Sequence, residues 1–116
     1  MFMKRSLYIT FFVLTATFSC THDKGNVPLC DNVNSSYSQS VGPLIQTRCA
    51  IPACHDGSTY IGNFNNYSEV KAYIDNGIFK VKVIDMKNMP PSSQPPLSTE
   101  EFNKLKCWYE NGGPNN

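Results

Sequence analysis

Cys49-Ala50-Ile51-Pro52-Ala53-Cys54-His55 is the stretch on which the reading of this chain turns. It sets two thiols on either side of a four-residue gap, with an imidazole directly after the second. Three uses suit that chemistry. The thiols can close on each other as a local disulfide. They can bind zinc together with His55, but a closed structural site needs four ligands. The other histidine, His22, lies far upstream, so Cys30 or Cys107 would have to complete such a site. Or both thiols can form thioethers to one edge of a porphyrin while His55 binds the iron. The usual signature for that attachment is Cys-x-x-Cys-His, so two extra residues must loop out here, and Pro52 is suited to fix such a loop.

Downstream, Met89 stands 34 residues after His55 and directly before Pro90-Pro91. An iron held by a proximal histidine takes a Met thioether as its sixth ligand in many electron carriers. The two prolines stiffen the loop that would present it. Met86 is the competing ligand, and gap-filling in the core is the blander use of either side chain.

Helical patterning surrounds these residues. Val41, Leu44, Ile45 and Arg48 fall on one side of a first helix, predicted from Ser38 or Ser40 to Cys49. Pro43 fits a first turn, where its missing N–H is not needed, which favours the later start. A second helix is predicted over 67–76, with Val70, Tyr73 and Ile74 as its apolar stripe. Asn66 caps it, Glu69 completes a capping box, and Gly77 suits the position past its end. A third is predicted over 99–111, with Ser98 and Glu101 as its box. Phe102, Leu105 and Tyr109 line up on it with Trp108 alongside, and Gly112-Gly113-Pro114 ends it. Between the last two helices, four prolines in residues 87–96 exclude helix. Ile78-Phe79 and the run 81–84 are extended at most, and no sheet is expected. The fold class expected is therefore all-α.

The ends set the context. Lys4 and Arg5 precede an apolar run over 7–18, and small residues lead to Cys20. That is the layout of a secretory signal over 1–19. The run is shorter than the roughly 20 residues a helix needs to span a bilayer. Thr17-Phe18-Ser19-Cys20 resembles a bacterial lipobox, with Thr17 in place of the usual Leu and Phe18 bulky for its place. Cys20 would then carry diacylglycerol and tie the chain to a membrane. Residues 20–36 read as a tether, leaving 37–116 as one domain. Losing Lys4 and Arg5 leaves 8 basic against 9 acidic residues, a net charge of −1. The lack of a basic patch argues against nucleic acid as a partner. A domain of about 80 residues buries a modest core and needs a staple. Export implies an oxidising compartment, where the four cysteines besides Cys20 must be paired, metal-bound or attached.

Taken together, the order of helix, paired cysteines with histidine, helix, Met-Pro loop and aromatic C-terminal helix resembles a class I cytochrome c domain. More narrowly, Tyr37-Ser38, Val41, Pro43-Leu44-Ile45, Cys49, Cys54-His55, Met89-Pro90-Pro91, Leu97-Ser98 and Trp108 are similar to the small cytochrome-c-like lipoproteins of Gram-negative bacteria. These often carry the wider Cys-x4-Cys-His spacing. The resemblance covers residues 36–116 and implies about three helices with long loops around one covalent haem c. It implies thioethers at Cys49 and Cys54, His55 as proximal ligand and Met89 as distal ligand. In the family the terminal helices pack together, which would bring Cys30, before the first helix, to Cys107 on the third. A disulfide between them follows from the resemblance and from cysteine parity.

Two functions compete on this reading. One is a mono-haem electron carrier, membrane-anchored and facing the periplasm or held at the outer membrane, with redox proteins as partners and a monomer expected. His/Met ligation fills both axial sites and leaves no open position for substrate. The domain holds no second histidine and no convincing base, so no enzyme is expected. The alternative is a haem-free, disulfide-stapled interaction domain that keeps the same fold. Lys80, Lys82 and Lys87 suit either a solvated face or a docking rim, and Trp108 and Phe102 either core or haem contact. Lipid attachment makes the first testable expectation: the wild-type chain partitions with membranes, and Cys20→Ser escapes processing by the lipoprotein signal peptidase. Fractionation of a soluble periplasmic wild type would refute it.

Overall fold

The computed structural model describes residues 29–116. The signal segment, Cys20 and most of the tether lie outside the described residues. The described chain is all-α, and its order is a π-helical turn Tyr37–Val41, helix α1 (Gly42–Arg48), helix α2 (Tyr67–Asp75), a second π-helical turn Lys80–Asp85 and helix α3 (Thr99–Glu110). Among the described residues no strand forms, and one isolated bridge pairs Asp56 with Asn63. No helix among them is long and apolar enough to cross a membrane.

The first helical path begins earlier than the Ser40 start that Pro43 favours. Tyr37–Val41 is wound in π geometry, with the Val41 N–H donating to the Ser36 carbonyl at 2.9 Å. A proline in a regular helix clashes with the carbonyl four residues back. A wider turn relieves that crowding, so Pro43 sits near the start of α1 while the helical path continues upstream of it. The turn also needs Gly42, because a Cβ there would lie 2.7 Å from the Tyr37 carbonyl oxygen. The free N–H groups at the start are met from the far end of the chain. Asn116 accepts from the Tyr37 amide through its side chain and from the Ser38 amide through its carbonyl, at 2.9 and 2.8 Å.

At α2 the Asn66 side chain accepts from the Glu69 N–H at 3.0 Å and from the Ser68 hydroxyl at 2.7 Å. At α3 both bonds of the capping box are made, Glu101 N–H to Ser98 and Ser98 N–H to Glu101. The segment over 78–85 departs from expectation. It is helical, not extended. Gly77, at φ +80°, turns the chain after α2, and the Asn76 side chain then caps Ile78 at 3.0 Å. Phe79 turns inward against Trp108 and Tyr109, which gives this short piece its anchor. Lys80 and Asp85 pair across it at 2.7 Å, a spacing of five that suits the i→i+5 winding.

The core gathers Val41, Ile45, Phe64, Val70, Ile74, Phe79, Leu105 and Trp108. Trp108 is fully buried, and its indole N–H donates to the Pro114 carbonyl at 2.9 Å. Cys30 and Cys107 are joined as a disulfide across 77 positions of sequence. Closing so long a loop restricts the unfolded chain. Replacing both cysteines by Ala is expected to cost about 4 kcal/mol in the chain-entropy view. The measurement is a pair of denaturant titrations, and equal midpoints for the two proteins would refute it.

Candidate functional site

One cavity of about 640 Å³ opens beside the core, with a mostly apolar lining. Its size is in the range of small-molecule and cofactor sites. Cys49, Cys54, His55 and Met89 all line it. Residues far apart in the chain thus converge on one space. Met86 is not part of the lining and is well exposed. Trp108 lies in the core behind it, while Leu105 and Phe79 form part of the wall.

The wall bearing the thiols is built by a loop leaving α1. Ala53 takes φ +65°, which a non-glycine residue rarely adopts. The Cys54 N–H donates to Ile51 at 3.0 Å and the His55 N–H to Cys49 at 3.1 Å. The four-residue gap is therefore consumed in a tight reversal that returns His55 to the start of the loop. Cys49 and Cys54 are unbonded and half-buried. Burial pushes the Cys49 thiol up to about 11; Arg48 opposes the rise, and Cys54 and Glu101 add to it. As a free thiol Cys49 is therefore protonated at neutral pH and a poor nucleophile in the folded chain. Cys30 and Cys107, being bonded to each other, are not free to complete a zinc site here.

His55 is held on three sides. Its Nδ1 lies 2.7 Å from the Ile61 carbonyl. A carbonyl only accepts, so Nδ1 donates its hydrogen there, and Nε2 is the ring nitrogen not committed to that bond. A histidine that binds a metal commonly donates its other ring N–H to a backbone carbonyl in this way. Phe64 stacks on the imidazole at 4.1 Å and nearly parallel, and Tyr73 meets both rings edge-on. The Phe64 N–H donates back to the His55 carbonyl at 2.7 Å, closing the loop around the ring. Gly62 is required there: it stands at φ +104°, and a Cβ would lie 2.8 Å from the Tyr73 hydroxyl oxygen.

Met89 is reached through Lys87, at φ +50°. The Lys87 ammonium sits 4.6 Å above the Phe102 ring, and the Asn88 and Met89 amides both donate to Lys82. Of the three lysines considered as a rim, Lys80 is thus paired with Asp85, Lys87 covers Phe102, and Lys82 lines the cavity. Ile61, Phe64, Tyr73 and Arg48 belong to the site without having been singled out for it. Ile61 acts through its backbone, which carries no sequence signal, whereas Tyr73 and Arg48 were visible only as parts of helical stripes.

Comparison of the chain with protein-family models, curated proteins and solved structures finds no match.

The packing around His55 has a measurable consequence. Phe64→Ala removes a buried ring and is expected to cost about 3–5 kcal/mol. Tyr60 also lines the cavity but is 99 % exposed. Tyr60→Ala is expected to stay within about 0.5 kcal/mol of wild type. Denaturant unfolding measures both, and similar losses for the two variants would show that Phe64 is not the packed member.

Proposed function

We propose that this chain is a mono-haem c-type cytochrome of cytochrome c-like fold, an electron carrier tethered to the cell envelope through Cys20. The observation that carries the reading is the state of His55. Its Nδ1–H is committed to Ile61 and its remaining nitrogen is left for a ligand, in the same cavity as two unbonded thiols and Met89.

The residues present fit the group. Cys49 and Cys54 would hold it covalently, His55 and Met89 would ligate its iron, and the apolar lining would exclude water. When bound, haem iron supplies one-electron chemistry. The chain's own part is positional. Ile61 fixes the tautomer of His55, and Phe64 and Tyr73 hold the plane of its ring. The loop over 87–97 presents a soft thioether, the ligand that raises a haem potential. With both His55 and Met89 as ligands, the iron would have no open position for a substrate, which favours electron transfer. Partners would be redox proteins meeting the cavity mouth.

A haem-free, stapled interaction domain is the second reading. The Cys30–Cys107 bond favours it, since that staple holds the two ends together independently of the cavity. Intact mass of chain made alongside haem-maturation machinery separates the two. The expected result is a gain of one haem, abolished by Cys49→Ala with Cys54→Ala. The oxidised protein should show the weak near-infrared band of Met–iron ligation, lost in Met89→Ala and kept in Met86→Ala. A mature protein with free thiols or a Cys49–Cys54 disulfide would overturn the cytochrome reading.

A further inference from the structure

Pro90, Pro91, Pro95 and Pro96 have no N–H to donate, so most of the segment 90–96 that follows Met89 cannot tie itself to the protein through amides. Inside the loop the Gln94 N–H donates to Pro91 at 2.9 Å. The tie to the rest of the fold comes from one side chain. Arg48, the last residue of α1, places Nη2 2.8 Å from both the Pro95 and the Pro96 carbonyls. Among the described residues these are the hydrogen bonds that join residues 90–96 to another element. The same guanidinium lies with Nε 3.4 Å from Glu101 on α3, an ion pair whose Nε makes no hydrogen bond. Arg48 also lines the cavity, and its side chain is only 23 % exposed.

We infer that Arg48 is a positioning residue that holds the Met89-bearing loop closed over the cavity, with its backbone bonds to Pro95 and Pro96 as the clasp. This rests on the cytochrome reading for what the closed loop does: it would keep Met89 as a ligand of the haem iron and keep other ligands out. The chemistry fits the task. A proline-rich loop offers only acceptors, and the planar guanidinium spreads several donors where an ammonium offers a compact point charge. Hydrogen bonds from a charged donor are the stronger kind. Arginine stays charged across the whole working range of pH, so the clasp does not titrate away.

The test compares full-length wild type with Arg48→Gln, Arg48→Lys, Glu101→Gln and the double variant Cys30→Ala, Cys107→Ala, all made with haem-maturation machinery. Intact mass first reports haem attachment. The near-infrared Met–iron band and the affinity of the oxidised protein for imidazole then report the loop, because a site open only part of the time binds in proportion to its open fraction. Arg48→Gln is expected to lose the band at neutral pH and to bind imidazole at least about tenfold more tightly, a shift of about 1.4 kcal/mol. Arg48→Lys should recover part of the band. Glu101→Gln should keep the band, since Gln still serves the capping box. The disulfide-free variant should unfold earlier yet also keep the band, which separates a local clasp from general stability. Wild-type band and imidazole affinity in Arg48→Gln would overturn the inference, as would an equal loss in the disulfide-free variant. Absence of haem from the wild type would instead overturn the cytochrome reading. Amide exchange at Met89 and Gln94 still decides the clasp in that haem-free chain: faster exchange in Arg48→Gln supports it, and unchanged exchange overturns it.

Discussion

Trp108 has no exposed surface, and the first helical turn, the segment after α2 and the chain beyond α3 all meet its indole. Tyr37 packs on it from the first turn at 5.5 Å, and Phe79 meets it edge-on from the segment after α2. The chain beyond α3 folds back so that Gly113 lies against the ring and Pro114 accepts its N–H. The disulfide from Cys107, the residue before it, ties the segment ahead of the first turn to the same helix. Asn116 then bonds to Ser36, Tyr37 and Ser38. Both ends of the described chain are therefore fixed to one side of α3. For a domain this small, burying a large aromatic side chain and closing a long covalent loop are two of the strongest devices available.

That arrangement leaves the opposite need unmet. The helices are short, and loops over 49–66 and 86–98 enclose an apolar space of about 640 Å³ instead of filling it. Interiors of folded domains are ordinarily packed without voids of this size. Apolar walls with a few directed polar groups are the mark of a space shaped for a ligand. The groups gathered here are those with metal-binding or covalent chemistry, and the loops that carry them hold Ala53 and Lys87, the non-glycine residues at positive φ among the described residues. Strain of this kind persists where surrounding structure over-determines it, and it gathers at functional sites.

The local signals in the sequence were sufficient for much of this. Ser98 and Glu101 set the start of α3, Asn66 that of α2, and Gly77 the turn after it, because capping and left-handed turns depend on residues within a few positions of one another. The spacing of Cys49, Cys54 and His55 declared a possible site for the same reason. Pro43 misled about the beginning of the first helix, since a π turn escapes the clash that a regular helix would suffer. The run over 78–85 misled more. Its Val and Ile content favours strands, but with no neighbouring strand to pair with, Phe79 buried against Trp108 decided for a helical turn.

By itself, then, the sequence determined the helical class, the helix ends governed by caps, and the residue types capable of site chemistry, all of them properties of near neighbours in the chain. Tertiary structure alone decided which of those residues meet. It brought Met89 and not Met86 to the cavity and gave the Nδ1 hydrogen of His55 a partner in a backbone carbonyl. It also turned Arg48, one member of a helical stripe, into the link between α1, α3 and a loop almost fifty positions away. Hydrogen bonds to backbone carbonyls and contacts across long loops leave no periodic trace in a sequence, because their geometry exists only once the chain has closed on itself.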